Sequence, residues 1–145
     1  MEDIKDEIED YLSRKKFITL ATSSPDGKPL THTLAYVNKG STVYFSTIKE
    51  SRKVNNIQEN PNVAYSVYNE TEHLDELRSV QMEGTATLIS DKKETNEILK
   101  MLGKKFPSMK NLTTYPENLI IKITPKICHF TDYVKHGGIH EKVEY

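Results

Sequence analysis

The sequence predicts a small, mainly β protein of the α+β kind: six or seven antiparallel strands curling into a barrel, with about three helices flanking its open ends. Three observations carry this. The β-rich runs follow one another across turn residues and so come in hairpins, without the strict strand–helix alternation of a parallel sheet. One run, Ser79 to Ile89, alternates cleanly, with Val80, Met82, Gly84, Ala86 and Leu88 against Gln81, Glu83, Thr85 and Thr87. Three other stretches carry apolar residues at helical spacing.

The first helix is expected over roughly residues 3–14, where Ile4, Ile8, Tyr11 and Leu12 share one face. Phe17 to Thr22 is a short strand, and Ser23-Ser24-Pro25-Asp26-Gly27 is a turn, because Pro sets φ and Gly accepts a positive φ. Leu30 to Val37 is a second strand, Asn38-Lys39-Gly40 a second turn, and Thr42 to Thr47 a third strand. On turn chemistry these three form an antiparallel meander. Ser51 caps a helix from Arg52 to Glu59 that faces Val54 and Ile57 inward. Asn60-Pro61-Asn62 ends it, and Val63 to Tyr68 is the fourth strand.

A charged loop is expected from Asn69 to Leu77, before the long alternating strand. Asp91-Lys92-Lys93-Glu94 opens the third helix, whose buried stripe is Ile98, Leu99, Leu102 and Phe106. Pro107 and Pro116 bracket a loop or short turn of helix. Leu119 to Ile123 and Lys126 to Phe130 form a last strand, bent or broken at Pro125. From about Asp132 the chain reads as a polar tail.

Bulk numbers narrow the function. A chain of 145 residues suits one domain spanning 1–145. At this size folding buries about 68–70% of the unfolded chain's surface, enough for a core without staples. With 20 basic and 21 acidic residues the net charge is −1, against a general nucleic-acid binder. The single cysteine, Cys128, allows no intrachain disulfide. No apolar run approaches ~18 residues, so no membrane span is expected, and the acidic start has no apolar signal core. The expected location is the cytoplasm.

The segment with chemistry in it is Tyr44-Phe45-Ser46-Thr47-Ile48-Lys49-Glu50-Ser51-Arg52-Lys53-Val54. A strand ends in hydroxyls, and a helix begins with two cations in its first turn. That end of a helix carries partial positive charge, so each cation costs roughly 0.3–1 kcal/mol there. An anion at the same spot removes the cost, since free N–H groups already favour it and Arg and Lys add charge-assisted bonds. The segment reads as a phosphate cradle; the plainer alternative is a solvated basic pair beside Glu50. Other constellations are weaker. His136 and His140 have metal-ligand spacing, but Gly137-Gly138 breaks the helix between them, so no metal site is expected. Cys128 reads as a small core residue.

Taken in order, Phe17 to Thr22, Asp26-Gly27-Lys28-Pro29, Tyr44 to Thr47, Ser51-Arg52-Lys53-Val54, Asn60-Pro61-Asn62-Val63 and Glu83-Gly84-Thr85-Ala86 resemble the pyridoxamine 5′-phosphate oxidase-like family of FMN-binding split β-barrels, over roughly residues 8–132. The resemblance implies a homodimer with FMN at the subunit interface. It implies that Arg52 and Lys53 bind the phosphate beside Ser51, and that Ser46 and Thr47 contact phosphate and ribityl chain. It sets His32, Thr33, Leu34, Ala35 and Tyr36 along the flavin ring, with Ser79 and Gln81 as contacts from the partner subunit. The chain departs from the oxidase itself. Thr31 and His32 stand where that enzyme carries an Arg, and the chain has no tryptophan for the C-terminal substrate constellation. Vitamin B6 oxidation is therefore not expected. The expected function is an FMN-dependent oxidoreductase acting on a small molecule, with NAD(P)H as a candidate donor. The alternatives are a non-catalytic flavin- or haem-binding sensor or stress protein, and a deazaflavin-dependent reductase. The catalytic residues are not legible.

Overall fold

The computed structural model describes residues 3–109, 118–138 and 140–145. Helix α1 (Ile4–Arg14) is capped by Asp3 and buries Ile8, Tyr11 and Leu12. Strand β1 (Phe17–Ser23) turns at Gly27, whose φ is +85°, into β2 (Pro29–Ala35). Two short elements follow, β3 (Val37–Lys39) and β4 (Thr42–Ile48). Helix α2 (Arg52–Glu59) leads into β5 (Asn62–Tyr68), and a turn of 3-10 helix at Leu74–Glu76 precedes β6 (Arg78–Leu88). Asp91 caps α3 (Lys92–Lys105) by accepting from the Glu94 N–H, and Pro107–Met109 adds a second turn of 3-10 helix. Pro116 lies outside the described residues. Strand β7 (Asn118–Asp132), the short α4 (Tyr133–His136) and β8 (His140–Glu144) complete the chain.

The sheet runs β2-β1-β5-β6-β7-β4-β3, with β8 also on β7, and every pairing is antiparallel. Its two ends, β2 and β3, are consecutive in the chain with only Tyr36 between them. The sheet must therefore curl until its edges meet. This is a split barrel: the edges approach through a chain kink, with no β2–β3 ladder among the described pairings.

Three expectations need correction. The second strand does not run on to Val37; it ends at Ala35, and Val37 starts β3. The break falls where partners change: the Tyr36 N–H still donates to the Lys16 carbonyl in the β1 register and its hydroxyl reaches the Leu12 carbonyl, while Val37 already pairs with Tyr44 of β4. The meander fails for the same reason: β4 pairs with β7 and with three-residue β3, while β2 pairs with β1 alone. The polar tail is not a tail. It folds as α4 and β8, and Val143 sits in the core beside Cys128.

The bend expected at Pro125 is present as a bulge within one continuous strand. Glu83 faces Ile127 and Gly84 faces Pro125, so Lys126 is the extra residue. Gly84 is required there, because a Cβ on it would lie 2.6 Å from the Thr124 carbonyl oxygen.

The barrel interior holds Leu12, Ile18, Leu20, Phe45, Val54, Ile57, Val80, Met82, Ile121 and Phe130 among others. A second cluster lies outside the barrel wall, where α3 packs Ile98 and Leu102 on Val37, Tyr44 and Ile120. Helix α2 belongs to the first cluster and closes one end of the barrel. There its Asn56 Nδ2 donates to Thr22 Oγ1 at 3.0 Å.

Candidate functional site

The site is built where β4 ends and α2 begins. After Ile48 the chain reverses tightly, with the Ser51 N–H donating to the Ile48 carbonyl at 3.2 Å. Ser51 is the N-cap of α2: its Oγ accepts from the Val54 N–H at 3.4 Å. That leaves the N–H groups of Arg52 and Lys53 with no partner inside the helix. Thr47 Oγ1 lies 3.3 Å from Ser51 Oγ, so strand-end and cap hydroxyls already touch.

The first turn of α2 holds two basic residues and no acidic one. Neither Arg52 nor Lys53 has a carboxylate within salt-bridge distance among the described residues. Elsewhere cations do pair: Arg14 with Asp10 at 2.9 Å, Lys39 with Glu97 at 2.7 Å, Arg78 with Asp132 at 3.3 Å. Burial pushes the Lys53 ammonium below the usual lysine range, which marks a cation short of compensation.

His32 joins this pair. It lies on the inner face of β2, opposite Leu20, and its Nε2 is buried with no hydrogen-bond partner. Its pKa is lowered first by burial and then by the charges of Lys53 and Arg52. Two cations thus sit on a capped helix N-terminus, their charge felt at His32, and no anion from the described chain answers them. A flavin ring needs hydrogen bonds to its polar edge as well. Strand β2 supplies these groups, because it pairs on one side only and leaves backbone N–H and C=O groups unpaired along its other edge. The residues present therefore fit a phosphorylated planar cofactor.

The remaining candidates separate by face. Ser46 alternates with Thr47 and leaves β4 on the other side, toward the α3 layer. Its Oγ is buried without a partner there. Leu34 packs on the barrel core, and Tyr36 is fully buried beneath the Lys105 ammonium, 4.0 Å from its ring centroid. Thr33 and Ala35 point outward. The register carries Thr33 across Thr19 and Ser66 to Gln81, a row along the outer face. Ser79 lies two residues along the same face, between Tyr68 and Thr131. At about 4.8 Å per strand, Thr33 and Gln81 stand about 14 Å apart.

Sequence reasoning gave His32 only as one of five strand positions. What sets it apart is a core-facing place on an edge strand opposite α2. Strand alternation alone hints at the first property, and nothing local gives the second.

The comparisons agree with this architecture. A stretch of 62 residues is 39% identical to General stress protein 26 of Bacillus subtilis (strain 168); it spans 43% of this chain and 44% of that protein. The conserved hypothetical protein Rv2991 of Mycobacterium tuberculosis superposes with a TM-score of 0.81 at 21% identity, covering 100% of this chain and 93% of that one. HutZ, the heme storage protein of Vibrio cholerae, superposes with a TM-score of 0.73 at 16% identity, covering 86% and 92%. At these identities the two structures establish the fold alone. The family model described as pyridoxamine 5′-phosphate oxidase matches residues 4–132, nearly all of the barrel, and the chain belongs to that family.

Proposed function

We propose that this protein binds FMN, with the phosphate held by Ser51, Arg52, Lys53 and Thr47, and that it works as a homodimeric flavin-dependent oxidoreductase on a small molecule. One observation carries the reading: Arg52 and Lys53 stand in the first turn of α2 with no carboxylate among the described residues to neutralise them. A phosphate dianion satisfies that turn better than water does. Bound FMN would supply the hydride or electron chemistry. The chain's own residues then bind and orient: the cap and cations hold one end, and the free edge of β2 offers hydrogen bonds to the other.

The visible spectrum of the purified protein tests this. Two flavin absorption bands, released on denaturation and restored by added FMN, are expected. Anaerobic NADH or NADPH should bleach the bound flavin. Colourless protein that takes up no FMN overturns the reading. A second reading, heme binding, is favoured by the fold shared with HutZ. An intense heme band after adding hemin, in protein that ignores FMN, would select it. Uptake of a deazaflavin in preference to FMN would keep the fold and change the cofactor.

A further inference from the structure

We propose that a second cavity, between α1, the start of β6, the end of β7 and α4, binds a small zwitterion of the amino-acid kind, with its carboxylate on Arg78 and its ammonium on Asp10. The proposal is independent of the FMN reading. Arg78 opens β6, and Thr85, about 23 Å farther along that strand, pairs with Asn62 just beyond α2. The cavity and the phosphate cradle therefore belong to different parts of the barrel.

The cavity has a volume of about 290 Å³. That is roughly ten waters at liquid density, near the small end of ligand pockets. Its lining is charged, and the charges come in three pairs. At the rim Arg14 meets Asp10 at 2.9 Å, with both side chains 59% exposed. Deeper in, Arg78 Nε meets Asp132 at 3.3 Å, and Lys135 meets Glu7. The Asp132 and Glu7 side chains are only 4% and 11% exposed. Three cations against three carboxylates leave no net charge. A bare anion or a bare cation gains from one sign and is repelled by the other. A ligand that carries both signs is matched at each end.

The unused hydrogen-bonding groups decide where each end goes. Arg78 reaches Asp132 through Nε alone, and its Nη1 and Nη2 make no hydrogen bond among the described residues. An arginine that serves only its own carboxylate would present the fork to it, in two parallel bonds. The Arg78 backbone is pinned: its N–H donates to Asn69 Oδ1 at 2.6 Å, and its carbonyl accepts from the Tyr11 hydroxyl at 3.0 Å. The fork is thus held beside the cavity with both outer nitrogens open to a ligand carboxylate. The acids differ in the same way. Asp132 is engaged by Arg78 and by the Lys135 N–H, and Glu7 lies between Lys135 and His136. Asp10 meets Arg14 with Oδ2 only, so its Oδ1 is open to an ammonium.

Saturation-transfer NMR of the full chain, with the standard amino acids each at about 1 mM, tests this. At least one is expected to bind with a Kd below about 1 mM. Acetate and methylammonium, with one charge each, should not bind at that concentration. Arg78→Lys keeps the charge beside Asp132 and loses the fork, so it should weaken the best amino acid by about tenfold. Asp10→Asn changes only an exposed side chain and should weaken it to a similar degree. If no amino acid binds the wild-type protein, or acetate binds as well as the best of them, the proposal falls. Unchanged affinity in Arg78→Lys removes the carboxylate assignment and overturns it. Should Arg78→Lys fail to fold, Asp10→Asn decides alone: unchanged affinity there overturns the proposal, and weakened affinity upholds it.

Discussion

Replacing Arg52 and Lys53 with neutral side chains of similar reach should move affinity and stability in opposite directions. Arg52→Gln with Lys53→Met keeps the aliphatic stems, including the partly buried stem of Lys53. Two cations then leave the N-terminal turn of α2, where the helix dipole disfavours them by roughly 0.3–1 kcal/mol each. The free protein should therefore gain about 1 kcal/mol. Each charge-assisted bond to a bound phosphate is worth ~1.5–3 kcal/mol. Arg52 is exposed, so the lower end applies to it. A combined loss of about 3 kcal/mol is roughly a hundredfold rise in Kd. Quenching of FMN fluorescence gives the Kd, and thermal melts with and without FMN give both signs in one experiment. A double variant that melts lower than the wild type without ligand, or that binds FMN unchanged, refutes the electrostatic reasoning.

Two further substitutions probe the scaffold. Gly84→Ala should cost about 1–3 kcal/mol by urea unfolding, because the new methyl meets the Thr124 carbonyl at the bulge; a change under about 0.5 kcal/mol would show that β7 yields there. Lys105 sits half-buried with its Nζ unpaired, and burial and the nearby Lys16 lower its pKa from 10.5 to about 8. A lysine lowered in the folded state costs stability when protonated, so this contribution rises with pH from about 8 to about 10.5. After discounting for its exposed half the gain is at most about 1 kcal/mol, and Lys105→Met should remove that slope from a plot of stability against pH.

The parts of the fold that were legible rest on local signals. Ser51 and Asp91 cap helices as their residue types demand, and the period-2 run of β6 is core-facing at Val80, Met82 and Ala86. What escaped was set by distant partners. Nothing near Tyr36 announces that the chain passes there from pairing with β1 to pairing with β4. The stretch after Asp132 looks polar because β8 turns only Val143 into the core. Its strand exists because β7 offers it an unpaired edge beyond the bulge. Within the candidate site, the cap and cations could be read from one segment. That His32 would feel both charges depended on the closing of the sheet, which nothing local announces.

The division of the candidate residues between two faces bears on assembly. Helix α2 packs against the inner face of the barrel, whereas Ser79 and Gln81 project from the outer one. No single chain brings Gln81 to its own Arg52 through that wall. If Gln81 serves the flavin, as the family resemblance implies, a second copy must deliver it, and the homodimer becomes a requirement of the site. The outer face suits close approach: Thr19, Thr33 and Ser66 are small, and Phe17 and Tyr68 beside them are 56% and 61% exposed. These residues line a cavity of about 390 Å³. Ser66→Arg would set a long cation into that row while leaving Ser51, Arg52 and Lys53 untouched. The variant is expected to elute as a monomer and to lose FMN together with the dimer. A monomeric variant that keeps its flavin would sever the link between assembly and cofactor, and would assign Ser79 and Gln81 to the outer surface alone.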